Sequence, residues 1–308
     1  MELIQHTTDF QLHSKTAVAM GKFDGIHLGH RALLREILKQ KERGLKACVF
    51  TFDPPPSVLF GAGKESLLTT PDEKRKRLEQ MGVDILIEYP LTFKTAAVDP
   101  EAFVKEYLHE RMHAALIAAG DDLSFGKKGA GNAALLNSLK DSYGFEVKII
   151  KKVCVDGLSV SSTRIRSLVE QGEMEQVQKL AGSAYSCCGQ VVRGNQIGHT
   201  LGFPTVNLIP PGNKLMPPKG VYFTQVLVEG RQYLGVSNVG CKPTVSDHEQ
   251  FGVETYLYDF SGDLYGKDIC VAFLHFSRPE KKFDGLELLK QQLSLDIAQG
   301  KAYHAKNM

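Results

Sequence analysis

The chain has 308 residues, 37 basic and 35 acidic side chains for a formal charge of +2, and 43% hydrophobic residues. That length favours two domains over one, and the near-balanced charge gives no dedicated nucleic-acid surface. With no apolar run near eighteen residues and no basic-then-apolar leader at Met1–His6, a cytoplasmic protein is expected rather than a membrane-spanning or secreted one.

In chain order, Ala17–Met20 reads as a strand, and Leu33, Leu34, Ile37 and Leu38 as the apolar face of a helix. Between them lies Gly21-Lys22-Phe23-Asp24-Gly25-Ile26-His27-Leu28-Gly29-His30. Gly21 and Gly25 permit a tight turn beside a ligand, and the N–H groups of the helix start favour an anion there. His27 and His30 are three apart, so both rings lie on one side of the first turn, within reach of phosphate oxygens. One histidine alone would read as a cap or a surface residue. The pair with the glycines reads as a nucleotide-phosphate site.

Lys46–Phe52 follows as a strand, Pro71–Gly82 as a helix, Asp84–Tyr89 as a strand, Pro100–His113 as a helix, Ala115–Ala119 as a strand, Asn132–Tyr143 as a helix and Glu146–Val153 as a strand. Strands alternating with helices predict a Rossmann-like α/β domain, a doubly wound parallel sheet with ligands beyond the strand carboxyl ends. Within it, Gly120–Gly129 is a polar loop that includes Asp122, readable as a ribose or base contact or as a solvated turn. Val160-Ser161-Ser162-Thr163-Arg164-Ile165-Arg166 precedes a helical run to Leu180, with hydroxyls placed to cap it and arginines near its first turn.

The second half changes pattern. Gly189–Val192, Gly220–Val228, Arg231–Val239, Val253–Phe260 and Ile269–Phe276 are β-rich segments between Gly, Pro and Asp turns, predicting an antiparallel β-barrel. A closing helix follows, with Asp284 as N-cap and Leu286, Leu289, Leu293 and Ile297 on its core-facing stripe. The predicted boundary lies near Gly182–Ser186, dividing the chain into 1–182 and 183–308. Six cysteines, Cys48, Cys154, Cys187, Cys188, Cys241 and Cys270, include no C-x-x-C pair, so reduced thiols are expected rather than disulfides or structural zinc.

His27-Leu28-Gly29-His30 together with Ser161-Ser162-Thr163-Arg164-Ile165-Arg166 resembles the adenylyltransferase half of the bacterial bifunctional riboflavin kinase/FAD synthetase family. Leu201-Gly202-Phe203-Pro204-Thr205-Val206-Asn207-Leu208, Gly220-Val221-Tyr222, Val236-Ser237-Asn238-Val239-Gly240-Cys241-Lys242-Pro243-Thr244 and Glu254–Gly266 resemble its riboflavin kinase barrel, in the same order. The resemblance implies phosphorylation of riboflavin to FMN by residues 183–308 and adenylylation of FMN to FAD, with pyrophosphate release, by residues 1–182. ATP is the co-substrate of both steps and Mg²⁺ the metal, with no nucleic-acid, membrane or obligate protein partner.

It further implies that His27 and His30 stabilise charge during attack on the α-phosphorus of ATP. Gly21, Phe23, Asp24, Gly25, Asp122, Ser162, Thr163, Arg164 and Arg166 would hold that nucleotide, and Gly202 and Pro204 the nucleotide of the kinase. Thr205 and Asn207, two apart in an extended segment, turn their oxygens to one side and suit Mg²⁺. Glu254, sharing a face with Tyr256 and Tyr258, would be the catalytic base. Without the resemblance, Thr205 and Asn207 read as a turn fixed by Pro204, and Glu254 as a solvated strand residue.

Phe52-Asp53-Pro54-Pro55-Pro56 stands where the family often has Phe-Asp-Pro-His-Pro, Leu123 where an aromatic is usual, and Gly194–His199, with Ile197, where a more basic pattern is common. Two alternatives follow: a riboflavin kinase with a decayed adenylyltransferase, or a non-catalytic flavin- or nucleotide-binding regulator. His27, His30 and Glu254 count against the regulator, because binding alone requires no base.

Overall fold

The computed structural model describes residues 1–61, 66–194, 201–242 and 250–307, which pack as two units, Met1–Ser162 and Thr163–Met308. The expectations that rest on Ile197, His199, Pro243 and Thr244 lie outside the described residues.

The first unit contains β1 (Glu2–Gln5), β2 (Thr16–Met20), α1 (Leu28–Lys39), β3 (Lys46–Asp53), α2 (Pro56–Phe60), α3 (Pro71–Gln80), β4 (Ile85–Pro90), α4 (Pro100–Phe103), β5 (Ala114–Gly120), α5 (Ala133–Tyr143) and β6 (Glu146–Ile150). A short hairpin, β7 (Cys154–Val155) with β8 (Leu158–Ser159), follows. All six sheet strands are parallel, in the order β1-β4-β3-β2-β5-β6. This is the doubly wound sheet that the alternation predicted.

Burial on both faces explains the near-continuous apolar strands. Ala17 and Ala19 of β2 pack with Leu33, Leu34 and Ile37 of α1, while Val18 and Met20 face Phe103, Tyr107 and Leu136 on the other side. The chain winds outward from β2 to β3 and β4, then returns to the opposite side of β2 with β5. The carboxyl end of β2 therefore lies at the switch point, where such sheets bind ligands.

Some bounds differ from expectation. β1 joins β4 at the sheet edge, and four residues are too short to show a period. The helix from Pro100 gives way after Phe103 to a wider π-type helix over Val104–Arg111, which buries Val104, Tyr107 and Leu108. The last strand ends at Ile150, three residues early. α3 begins as predicted, with Pro71 in its first turn and Thr70 and Glu73 forming a reciprocal capping box.

The second unit opens with α6 (Ser162–Gln171, its first residue the last of the first unit) and α7 (Met174–Ala181), then β9 (Tyr185–Val192), β10 (Thr205–Leu208), β11 (Gly220–Val228), β12 (Arg231–Lys242), β13 (Gln250–Leu257), β14 (Asp268–Pro279) and α8 (Leu286–Asn307). The six strands close into an antiparallel barrel, β10-β13-β12-β11-β14-β9. A buried hydroxyl chain crosses it: Thr224 Oγ1 lies 2.8 Å from Ser237 Oγ, which lies 2.7 Å from Thr255 Oγ1. Each hydroxyl supplies the partner that burial of the next requires.

α8 covers an outer face of the barrel made by Val221, Phe223, Val236 and Tyr258, with Ile297 and Tyr303 packed on it. The predicted stripe is corrected at its start. Leu286 is 61% exposed, whereas Asp296, Gly300 and His304 are the buried positions. Leu289 N–H bonds to Gly285 O (3.3 Å), which puts the start of the helix at Gly285 rather than at Asp284.

The cysteine expectation is also corrected. Cys188 and Cys270 form a disulfide, being direct partners in the β9/β14 register with Cα atoms 4.0 Å apart. Sequence spacing could not show this, because the two positions are separated by 82 residues and meet only when the barrel closes.

Candidate active sites

In the first unit, the turn after β2 is fixed by its own buried side chains. Phe23 (φ +50) and Ile26 (φ +39) are left-handed yet 0% and 1% exposed, so core packing imposes a backbone that costs about 1–3 kcal/mol per such residue. Gly25 (φ +83) donates its N–H to Thr69 Oγ1 (2.7 Å), and a Cβ there would stand 3.0 Å from Leu68. Gly21 N–H bonds to Phe50 O (3.2 Å) within β3. The Asp24 carboxylate accepts from Leu68 N–H (3.3 Å) and Thr69 N–H (2.9 Å). Its carbonyl accepts from Ser162 Oγ (2.9 Å).

His27 is the N-cap of α1, its Nδ1 accepting from His30 N–H at 3.3 Å. The two rings stack with centroids 3.8 Å apart, and Phe23 packs 5.0 Å from His30. Burial pushes His27 down to about 4, against smaller opposing effects of its backbone hydrogen bond and of Asp122. Burial, then the neighbouring His27 and Lys74, hold His30 well below the usual histidine range. Both rings are thus neutral at pH 7. With Nδ1 of His27 accepting, its proton belongs on Nε2, which makes that nitrogen a donor.

Asp122 is exposed and pairs with Lys152 (3.3 Å), its charge reaching His27. Thr163, Arg164 and Arg166 belong to the second unit, on exposed and half-buried positions of α6, whose Ile165 and Val169 are buried. Pro55 caps the short helix α2 and supplies no charge at the end of β3.

In the second unit, strand register assembles the second site. Asn207 of β10 stands opposite Glu254 of β13, and Glu254 stands opposite Asn238 of β12 on its other side. Thr205 and Val236 flank Tyr256 one position along the same face. Alternation on β13 is as predicted: Val253, Thr255 and Leu257 are buried inward, while Glu254 and Tyr256 line a cavity of about 540 Å³. Tyr258 shares their face but is covered by α8.

The cavity also takes Leu201, Phe203 and Thr205 from the β10 approach, and Leu289, Leu293 and Ile297 from α8. Gly202 (φ +86) and Pro204 alternate outward to solvent. Asn207 is 4% exposed, and a Cβ on Gly194 would stand 2.6 Å from its Cγ.

Sequence reasoning missed the cavity's polar wall. Asp296 is 1% exposed and accepts from Arg278 Nε (2.9 Å), Arg278 Nη2 (2.6 Å) and Gln292 Nε2 (2.9 Å), tying α8 to the end of β14. Asn238 Nδ2 donates to Glu280 Oε1 (3.2 Å). The four-residue spacing of Asp296, Gly300 and His304 was a readable signal for this buried polar stripe; the partnership with Arg278 had none.

Two family models match the chain: FAD synthetase over residues 9–164 and riboflavin kinase over residues 181–304. A bifunctional riboflavin kinase/FMN adenylyltransferase of Listeria monocytogenes is 36% identical over 97% of this chain and 96% of its own. That of Escherichia coli K12 is 35% identical over 91% of this chain and 90% of its own. A solved Streptococcus pneumoniae structure, described as a macrolide-efflux protein, is 32% identical with a TM-score of 0.85 and 96% of each chain covered. Among the described residues no helix is long and apolar enough to cross a membrane.

Proposed function

The chain belongs to the bifunctional riboflavin kinase/FMN adenylyltransferase family, and we propose how its two activities are divided and which side chains serve each. It converts riboflavin to FMN and FMN to FAD, using ATP. Residues 1–182 are assigned to adenylyl transfer and 183–308 to phosphorylation, with most of α6 and most of α7 lying between the matched segments.

The observation that carries the kinase assignment is the Asn207–Glu254–Asn238 row, whose Glu254 and Asn238 line the cavity together with Thr205. Glu254 accepts the proton of the riboflavin primary hydroxyl as its oxygen bonds to the γ-phosphorus and the β–γ bridge breaks, releasing ADP. The largely apolar cavity receives the flavin ring system, and Gly202 and Pro204 belong to the nucleotide side. The hydroxyl and amide oxygens of Thr205 and Asn207 fit Mg²⁺, a hard cation usually bound by few protein ligands together with phosphates. No group of three or more His, Cys, Asp or Glu among the described residues offers an all-protein metal cage, in keeping with that. Bound there, the metal supplies neutralisation of phosphate charge.

For adenylyl transfer, an FMN phosphate oxygen attacks the α-phosphorus of ATP while His27 and His30, as neutral donors, meet the developing charge. Gly21, Phe23, Asp24 and Gly25 shape the backbone cradle. Ser162 secures it through the Asp24 carbonyl, and Asp122 contributes to the nucleotide. A Mg²⁺ ion arriving with the nucleotide would supply neutralisation of phosphate charge here as well. The protein acts in the cytoplasm, without nucleic-acid, membrane or obligate protein partners.

Purified protein given riboflavin, Mg²⁺ and ATP should yield FMN and then FAD on chromatography. Absence of FMN overturns the kinase step; FMN that never becomes FAD overturns adenylyl transfer.

A further inference from the structure

Lys74 of α3 is a buried cation that neither step above employs. It is 8% exposed, yet it makes no hydrogen bond or ion pair among the described residues. α3 starts against the turn after β2, because Thr69, just before its N-cap Thr70, accepts from Gly25 N–H (2.7 Å) and donates to the Asp24 carboxylate (2.9 Å). Asp24, Asp53 and Glu88 act on Lys74 electrostatically, and His30 feels its charge. Two of those carboxylates are engaged elsewhere. Arg75 Nε lies 3.2 Å from both oxygens of Glu88, and Asp24 takes the Leu68 and Thr69 amides.

A buried ammonium without a direct partner costs several kcal/mol, and burial accordingly lowers the proton affinity of Lys74. Such a group is accounted for where a ligand brings the counter-charge. A second observation points to the same place: Nδ1 of His30 is enclosed and has no partner among the described residues. The end of β3, Asp53-Pro54-Pro55-Pro56, offers an incoming polyphosphate no cation.

We propose that Lys74 is a phosphate-binding residue of the adenylyl-transfer site, its ammonium taking a polyphosphate oxygen of ATP beside His30. The proposal rests on the assignment of adenylyl transfer to this unit. As the bond between the FMN phosphate oxygen and the α-phosphorus forms, the α–β bridging P–O bond breaks and its electron pair leaves on pyrophosphate. The ammonium meets that growing negative charge and keeps its proton.

The test uses the full-length protein with Lys74→Met and Lys74→Arg. Lys74→Met should lower kcat for FAD formation from FMN about 10²-fold and weaken inhibition by added inorganic pyrophosphate about tenfold or more. Riboflavin phosphorylation on the same sample should stay within about twofold, and Lys74→Arg should restore most of the pyrophosphate inhibition. A folded Lys74→Met protein with FAD-forming kcat within about twofold of wild type, or with reduced kcat but unchanged pyrophosphate inhibition, overturns the proposal.

If neither variant folds, a wild-type crystal with Mg²⁺ and α,β-methylene-ATP decides: Nζ within about 3.2 Å of a phosphate oxygen supports it, and a separation beyond about 5 Å overturns it. Wild-type protein that makes no FAD from FMN fails the assigned activity itself, and the proposal falls with it.

Discussion

Glu254 and Asn207 are direct partners across the β13/β10 ladder, so the carboxylate and the amide face one site from positions 47 residues apart in the chain. Because both lie on barrel strands rather than on a loop, closure of the sheet sets their geometry before any substrate binds. Glu254→Gln keeps the shape and removes the carboxylate proposed above as the base. Formation of FMN should fall about 10²- to 10⁴-fold, while FAD synthesis from added FMN is unchanged. Both rates measured on one preparation check this, and a folded variant losing both would overturn independent sites.

Gly194 touches the same arrangement from behind. A Cβ there would stand 2.6 Å from Asn207 Cγ, so Gly194→Ala must push the amide out of line. A displacement approaching 1 Å at a positioning group can cost about 10²-fold, and kinase kcat should drop by roughly that order with the melting temperature little altered. Unchanged kinase kinetics would show that Asn207 tolerates the shift.

The pH response of the first unit follows from its buried histidines. Burial holds His27 at about 4 in the folded chain against an ordinary 6.5, so the unfolded chain takes the proton first. Its contribution is complete above about pH 6.5 and is lost as the pH falls towards 4, amounting to roughly 3 kcal/mol. His30 acts in the same direction. Hydrogen-exchange protection of the α1 amides, corrected for intrinsic rates, should therefore decline from about pH 7 to about pH 5. Constant protection would refute neutral burial of the pair.

Gly300 allows α8 to lie against the barrel. A Cβ there would collide with Tyr258 Oη and stand 2.8 Å from Val236 Cγ2. Gly300→Ala should destabilise the second unit by about 1–3 kcal/mol despite the better helix propensity of alanine. Since α8 also walls the cavity through Leu293 and Ile297, KM for riboflavin should rise. A melting temperature equal to or above wild type would contradict this packing.

The order of elements was legible wherever local periodicity and burial agree. β2 and α1 show it: Ala17–Met20 reads as a strand, and Leu33, Leu34 and Ile37 as a helix face, because each pattern is set within one turn or one pleat. The Gly21–His30 run was legible for the same reason, since its donors, glycines and helix start are consecutive. The edge strand β1, the early end of β6 and the shifted stripe of α8 were not, because each depends on a distant partner: β4, β5 and the outer barrel face. Lys74 and Asp296 were hidden differently. A charged residue on a helix reads as solvated, and only burial by other elements makes it a question.

The sequence by itself determined an α/β half followed by a β half and most of the strand and helix order, and it offered His27, His30, Thr205, Asn207 and Glu254 as candidates, the last three only through the family resemblance. The tertiary structure decided what stands beside them: Asn238 next to Glu254, Arg278 on Asp296, Cys188 on Cys270, and Lys74 near His30. Local backbone sterics and side-chain period act over a few residues and are written in the sequence. Strand register and sheet closure join positions far apart in the chain, through main-chain hydrogen bonds that any residue except proline can make, so side-chain identity alone could not reveal the pairs.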